Sequence, residues 1–381
     1  MHDILRGVHL SRKVKYFDRE RWIEKERIIF LAINANDCIT NPERSAIMAA
    51  TIKDIAREVG VSPSTVSRVI NKSAVISADT TEKINQAMKR LGYHPNSAAK
   101  KLVMGSTNTV ALVIDADNEK AFANNFFNRS IFAIENVLQK NGYDLLIVNG
   151  GTKKKVISNL IYEKRADGVI IPSSCFDAKL MDILNSESFP YIILGAPGAK
   201  TAAAAWVDID NEQGGYLAVK HLQANGYTNI FLVLEDLTTV FAQSRQRGFQ
   251  KAMEENGQSR AESIIQCRDM DSLQEKVKAA IEIQKADAFL CSGNEIAYYV
   301  LKAIAQSGYK VPADIGVVTF DNYPLAEFMA PPLTAVDINT YELGRIASQK
   351  LLEQIKNKEL RQEQILLAVD LIVRRSSQGK V

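Results

Sequence analysis

The chain has 381 residues, 46% hydrophobic and 24% charged, with a formal net charge of +3, which is long enough for more than one domain and ordinary for a globular protein. No run approaches the ~20 apolar residues of a membrane-spanning helix, and the short apolar stretch 28–35 follows residues too charged for a secretory signal, so a cytoplasmic protein is expected. Four cysteines, Cys38, Cys175, Cys267 and Cys291, lack C-x-x-C spacing, which argues against a zinc site or a disulfide framework and for reduced structural thiols.

The charge is unevenly distributed. Residues 1–47 carry 9 Lys+Arg against 7 Asp+Glu, residues 48–108 carry 9 against 4, and the remainder 29 against 33. A basic excess confined to one short segment is the footprint expected where a chain meets phosphate. Residues 1–47 have no sustained apolar period. Met48 stands three residues before a capped helix, so the leader is expected to be a disordered arm or to lie upstream of a native start at Met48.

Residues 51–71, TIKDIAREVGVSPSTVSRVIN, read as two short helices joined by a tight turn. Ile52, Ile55, Ala56 and Val59 form one apolar stripe at i, i+3, i+4 and i+7. Thr51 and Asp54 have capping-box spacing, Gly60 ends the first helix, and Ser62 caps the second with Pro63 at its first position. Val66, Val69 and Ile70 face inward. Ser62, Pro63, Ser64, Thr65, Ser67 and Arg68 face outward with no acidic residue among them, a surface suited to a major groove, where Arg68 has the fork to bridge a guanine. The competing reading is a small helical bundle with a solvated serine-rich face.

A third helix is expected to begin at Thr80 or Thr81, with Asp79 and Glu82 in capping-box spacing, to bury Ile84, Ala87, Met88 and Leu91, and to end at Gly92. Tyr93 and His94 then precede Pro95. Residues 96–104, NSAAKKLVM, form one more run of small and basic residues; the alternative is a flexible linker.

From Thr109 the texture changes to β-branched runs separated by helix-length segments: 110–114, 144–148, 167–171, 191–195, 229–234, 287–291 and 315–320. Such alternation predicts parallel sheets with crossover helices. Gly142, Gly226 and Gly308, each followed by Tyr, punctuate helix ends. Roughly 270 residues of this pattern are long for one sheet, so two α/β lobes with a ligand cleft are expected.

VSPSTVSRVIN, TTEKINQAMKRLGYHPN and AAKKL together resemble the DNA-binding headpiece of the lactose-repressor-like (LacI/GalR) family of bacterial transcription regulators. The rest of the chain resembles that family's effector-binding core: NNFF at 124–127, DN-x-x-GG at 210–215 followed by His221 and Leu222, R-x-x-G-F at 245–249, TFDN at 319–322 and PPLTAV at 331–336. The resemblance implies an all-α helix-turn-helix headpiece (48–95), a hinge helix and linker (96–108), and an α/β two-lobed, periplasmic-binding-protein-like core with parallel sheets (109–381).

It further implies DNA contacts from Thr51, Ser62, Pro63, Ser64, Thr65, Ser67, Arg68, Asn71, Tyr93, Asn96 and Lys100, with Leu102 as the minor-groove wedge. The effector residues it implies are Phe126, Phe127, Thr239, Phe241, Arg245 and Asp321. Asn125 stands where the family has proline, and Lys100 where it often has arginine. A guanidinium, a carboxylate and aromatic faces suit a sugar. Trp206 resembles a tryptophan of maltose-type repressors, which tilts the reading toward an α-glucoside; a core role for Trp206 is the alternative.

The expected function is a homodimeric, sugar-responsive repressor that binds double-stranded operator DNA and needs no cofactor or metal. Within the family, a regulator dependent on a co-repressor ligand or phosphoprotein is the alternative. A sugar-binding transport receptor is the rival from another class, but it leaves residues 51–104 without a role. Enzyme readings fare badly. GAPGAKT at 195–201 departs from a phosphate-binding loop at Ala199, and there is no G-x-S-x-G or H-E-x-x-H. The tail after Leu371 lacks leucine heptads, so no coiled-coil tetramer is expected.

Overall fold

The computed structural model describes residues 50–71, 73–93, 106–114, 125–150, 153–201, 203–258, 261–360 and 362–379. The leader and the hinge positions Asn96, Lys100 and Leu102 therefore lie outside the described residues, as do the side chains of Phe126 and Phe127. The chain divides into two units, Met1–Asn96 and Ser97–Val381.

The first unit contains helices α1 (Ile52–Val59), α2 (Pro63–Asn71) and α3 (Ala78–Arg90). None is long enough to persist alone; Ile55, Ala56, Val66, Ile84 and Ala87 form their common core, with Val59, Val69, Ile70 and Tyr93 packed against it. The Asp54 carboxylate accepts the Thr51 N–H at 3.0 Å, and α1 ends on a left-handed Gly60. The start of α3 corrects the sequence reading. Its cap is Ser77, whose Oγ accepts the Thr80 N–H at 3.2 Å, so the helix begins at Ala78 and not at Thr80 or Thr81. Asp79 then serves the helix as an i,i+4 partner of Lys83, at 2.7 Å.

The second unit holds two six-stranded sheets. Lobe 1 is built on β1 (Thr109–Ile114), β2 (Asp144–Asn149), β3 (Gly168–Pro172), β4 (Tyr191–Leu194), β5 (Trp206–Ile209) and β11 (Gln364–Leu367). Lobe 2 is built on β6 (Ile230–Leu234), β7 (Ile264–Gln266), β8 (Ala288–Cys291), β9 (Gly316–Phe320), β10 (Thr334–Asp337) and β12 (Asp370–Ile372). The strand orders are β11-β5-β4-β3-β1-β2 and β12-β10-β9-β8-β6-β7, so the second sheet repeats the first. The paired strands run parallel except β12, which is antiparallel to β10. All seven sequence-predicted strands are present. The five others, β5, β7, β10, β11 and β12, are only three or four residues long.

Both faces of each sheet are covered, as parallel sheets require. Lobe 1 packs α4 (Asn125–Lys140) and α12 (Thr340–Asn357) on one face and α5 (Lys153–Tyr162) and α6 (Ala178–Ser186) on the other. Lobe 2 packs α7 (Asn211–Ala224) and α8 (Val240–Glu255) on one face. Its other face carries α9 (Met270–Glu282) and α10 (Asn294–Gln306), and the short α11 (Pro324–Phe328) follows β9. The chain passes between the lobes after β5, after β10 and after β11, so α12 follows a lobe 2 strand yet packs in lobe 1.

Gly142, Gly226 and Gly308 adopt φ of 77°, 86° and 80°, as their place after helices requires. The α7 and α8 backbones meet at Gly248, where a Cβ would lie 1.9 Å from the Glu212 carbonyl oxygen. Trp206 is half-buried against the lobe 1 core, the role its alternative reading gave it. Cys175, Cys267 and Cys291 are buried thiols outside any disulfide. No described helix is long and apolar enough to cross a membrane.

Candidate DNA-facing surface and ligand site

On α2 the buried face is Val66, and the outward face is the hydroxyl-rich one. Ser62, Pro63, Ser64 and Arg68 are exposed, while Thr65, Ser67 and Asn71 are half-buried. The Ser62 hydroxyl accepts the Thr65 N–H at 3.1 Å and lies 2.7 Å from Ser64 Oγ and 2.8 Å from Thr65 Oγ1. It is therefore spent mostly on holding the turn. Asn71 donates from Nδ2 to Ser67 Oγ at 3.3 Å, and its buried Oδ1 has no partner. Arg68 has no carboxylate partner among the described residues, whereas the Arg57 guanidinium pairs with Asp54 at 3.3 Å and that of Arg90 with Glu58 at 2.7 Å. The Arg90 bond ties α3 to α1. It holds the three-helix frame while leaving the Arg68 fork free. Thr51 is exposed, and its hydroxyl bonds Asp54 Oδ2 at 2.7 Å. Tyr93 packs its ring against the headpiece core.

The ligand-site residues converge at the carboxyl ends of the lobe 2 strands, where open α/β sheets place their ligands. Arg245, on α8, is only 6% exposed. Its Nε donates to Asn211 Oδ1 at 2.9 Å and its Nη1 to the Ser292 carbonyl just beyond β8. The guanidinium carbon stands 3.9 Å from the Phe320 ring centroid and 5.1 Å from that of Phe241, so two aromatic rings and two hydrogen bonds fix the fork. Burial pulls the Arg245 proton affinity down, opposed by Asp321 and Asp208. Thr239 caps the start of α8 in extended conformation, its Oγ1 3.4 Å from the Asp236 carbonyl. Phe241 is 46% exposed.

Asp321 follows β9 with φ of 71°, a left-handed conformation that Asp and Asn tolerate better than most residues. Its N–H donates to the Val336 carbonyl at 3.1 Å, and its carbonyl accepts the Asn294 Nδ2 donor at 2.6 Å. The side-chain oxygens Asp321 Oδ1 and Asn294 Oδ1 are both buried without partners. Arg245 and Asp321 influence each other electrostatically, yet no direct ion pair joins them among the described contacts. The outcome is a buried cation and a half-buried Asp321 whose buried Oδ1 lacks a partner, which is the arrangement a polar ligand satisfies.

Sequence reasoning found Arg245, Asp321, Thr239 and Phe241 but not Asn211, Asn294, Phe320 or Asp208. Asp208, on β5, is 9% exposed. It accepts the Ala196 N–H at 2.9 Å and the Ile209 N–H at 2.8 Å. The first of these bonds places a carboxylate on the GAPGAKT turn, where a phosphate loop would need its N–H groups free for an anion. Burial pushes the Asp208 carboxyl above the usual range.

Burial likewise raises the Asp321 carboxyl, with Arg245 lowering it and Asp337 adding to the rise. A raised acid contributes most to stability below its unfolded value of 3.8, and that contribution is lost as pH climbs through the folded value. Asp321→Asn should therefore stabilise the ligand-free protein at neutral pH by roughly 1 kcal/mol, with the gain disappearing in acid. Thermal melts across pH check this; a parent-like melt at neutral pH would count against a destabilising charge at Asp321.

Comparison with known proteins covers both units. The family profile "Bacterial regulatory proteins, lacI family" matches residues 51–96, and "Periplasmic binding protein-like domain" matches residues 219–377. The HTH-type transcriptional repressor PurR of Vibrio parahaemolyticus is 31% identical over 334 residues, spanning 85% of this chain and 98% of that protein. The structure of a transcriptional regulator CelR-cellobiose complex is similar with a TM-score of 0.65 and 27% identity, covering 86% of this chain and 99% of that one. A Lac repressor structure bound to ONPG in the repressed state gives a TM-score of 0.73 at 25% identity, with coverage of 86% and 99%.

Proposed function

This chain belongs to the LacI family of bacterial regulatory proteins, and from that premise we propose how its own residues read DNA and answer a ligand. It is a DNA-binding transcriptional repressor, not an enzyme. Its α2 lies in the major groove of an operator, with Arg68 on a guanine and Ser62, Ser64, Thr65 and Ser67 with Asn71 on phosphates or neighbouring base edges. Thr51, Pro63 and Tyr93 border that surface. Asn96, Lys100 and Leu102 complete it as the hinge. Two half-sites need two headpieces, so the working form is a homodimer.

The observation that carries the DNA reading is the exposed Arg68 fork, which has no carboxylate partner among the described residues, on a helix face rich in hydroxyls. Arg68→Ala should cost about 1–3 kcal/mol of discrimination at one base pair while leaving salt-dependent, non-specific binding nearly unchanged. Selection of sequences from a randomised duplex library by both proteins measures it. An unchanged preference at every position would remove Arg68 from base readout.

The ligand is a small polyol, with a disaccharide such as an α-glucoside as the first choice. It sits where Arg245 presents its remaining donors and Asp321 its unpartnered Oδ1. Thr239 and Phe241 flank it from lobe 2, and the family resemblance adds Phe126 and Phe127 to the ligand residues. The cellobiose complex of the CelR relative supports this class. The exposed face of Phe241 favours a second reading, a flat heterocycle stacked on that ring, and the similarity to the repressor PurR makes nucleobases the first such ligands to test. A thermal-shift screen of mono- and disaccharides beside nucleobases, followed by operator titration with any hit, separates the two. Ligand alters operator affinity by its preference for one lobe arrangement over another.

A further inference from the structure

The two lobes share one local device, and in only one of them does it hold the chain that leads to DNA. In lobe 2 Asp287, just before β8, accepts the Thr228 N–H at 3.0 Å and the Asn229 N–H at 2.8 Å, with the Thr228 hydroxyl at 3.2 Å. In lobe 1 Asp167, just before β3, accepts the Thr107 N–H at 2.7 Å and the Asn108 N–H at 2.8 Å. The Thr107 hydroxyl lies 2.9 Å from its Oδ1 and the Ser106 hydroxyl 2.6 Å from its Oδ2. Each aspartate returns its own N–H to the chain it grips: Asp167 to the Thr109 carbonyl at 2.8 Å, Asp287 to the Asn229 carbonyl at 3.0 Å.

What enters each clamp differs. Thr228 follows Tyr227 at the end of α7, and Tyr227 is itself fully buried in the lobe 2 core, so Asp287 secures a turn that packing already holds. Ser106, Thr107 and Asn108 follow the segment that comes from the headpiece, and all three are only half-buried. Thr228 is exposed and Asn229 half-buried, so the difference lies in the buried Tyr227 that precedes them. Asn108 is held at φ of 45°, a left-handed conformation that Asn tolerates better than most residues. A segment passes a displacement onward only if its attachment cannot swivel, and charge-assisted bonds from three successive residues to one carboxylate make such an attachment.

We propose that Asp167 is the anchor that couples lobe 1 to the DNA-binding segment: it is the positioning residue that lets DNA occupancy and the state of the core bias each other. This rests on the repressor reading given above. Coupling between sites is reciprocal, so DNA binding must alter lobe 1 by the same factor as lobe 1 alters DNA binding. The ligand need not be known to test it.

The experiment is hydrogen exchange on the full-length protein with and without a duplex that it has itself selected from a randomised library. Protection within residues 51–93 reports DNA binding, and protection in β1 and β3 reports its arrival in lobe 1. In the parent protein, β1 and β3 amides should exchange about tenfold more slowly with DNA, within the usual range of couplings. Asp167→Ala and Asp167→Asn should bind the duplex but lose that slowing. Asp287→Ala loosens lobe 2 by the same chemistry and should keep it. If the Asp167 variants retain the slowing, if the Asp287 variant loses it equally, or if DNA never slows β1 and β3 in the parent, the anchor is overturned. Absence of protection in residues 51–93 would instead overturn the repressor reading beneath it.

Discussion

Arg245→Met is expected to abolish the ligand response while leaving ligand-free operator binding in place. The side chain is buried, its Nε and Nη1 are committed to Asn211 and Ser292, and only its remaining donors are available to a ligand. Truncating one partner of a buried, charged hydrogen-bonding group costs about 2–5 kcal/mol of binding, roughly a 30- to 5000-fold loss. Arg245→Lys should fail almost as badly. One ammonium cannot reproduce the planar fork that reaches Asn211, Ser292 and a ligand together between the rings of Phe320 and Phe241. Calorimetric titration with the saccharide or nucleobase that gives the largest thermal shift measures the loss, and gel-shift titration confirms that DNA binding survives. A parent-like ligand affinity in Arg245→Lys would show that the fork is not what the ligand meets.

Gly248→Ala is expected to be the most damaging single methyl group in the core. The added Cβ would stand 1.9 Å from the Glu212 oxygen and 2.8 Å from the Tyr216 nitrogen. Both are backbone atoms of α7 and cannot rotate away. Overpacking of this kind costs about 3 kcal/mol or more, which for a unit of this size lowers the melting temperature by roughly 5 °C. Gly198→Ala is the matched control, because a Cβ there meets nothing within 4 Å. The two variants melting together would mean that α7 and α8 are not held at this distance. Because Arg245 lies on α8 three residues before Gly248, ligand affinity should fall along with stability in Gly248→Ala.

Much of the fold is legible in the sequence where the signal is local. Thr51 with Asp54, Gly60, Ser62 and Pro63 bound the first two helices with little room for another reading, and each of the seven long β-branched runs is a strand. The start of α3 is misread because Ser77, Asp79, Thr80 and Thr81 are all competent caps, and only the geometry selects Ser77. The five short strands escape notice for a different reason. β5 is interrupted by Asp208, β10 carries Thr334 and Asp337, and β11 finds its partner β5 far away in sequence. Pairing, not composition, makes them strands.

The ligand site divides the same way. Arg245 and Asp321 are single charged residues that mean little alone and stand out only through the family resemblance. Asn211, Asn294, Phe320 and Asp208 join them because sheet topology gathers the carboxyl ends of β5, β8 and β9 into one place, and no local pattern announces that. Asn211 was part of the motif D-N-x-x-G-G, yet its role as the acceptor that steadies the Arg245 fork depends on a helix 34 residues later.

The three passages between lobes all leave from the same side of each sheet, next to β5 and β11 in one and β10 and β12 in the other. One edge of each sheet therefore gathers all three connections between the lobes. The strand that receives the chain from the DNA-binding end, β1, is three strands away from β5, a lever arm of about 14 Å at ordinary strand spacing. A rotation of one degree about that edge would move that point by about 0.25 Å on that arm, so a rotation of a few degrees would displace it by about an ångström.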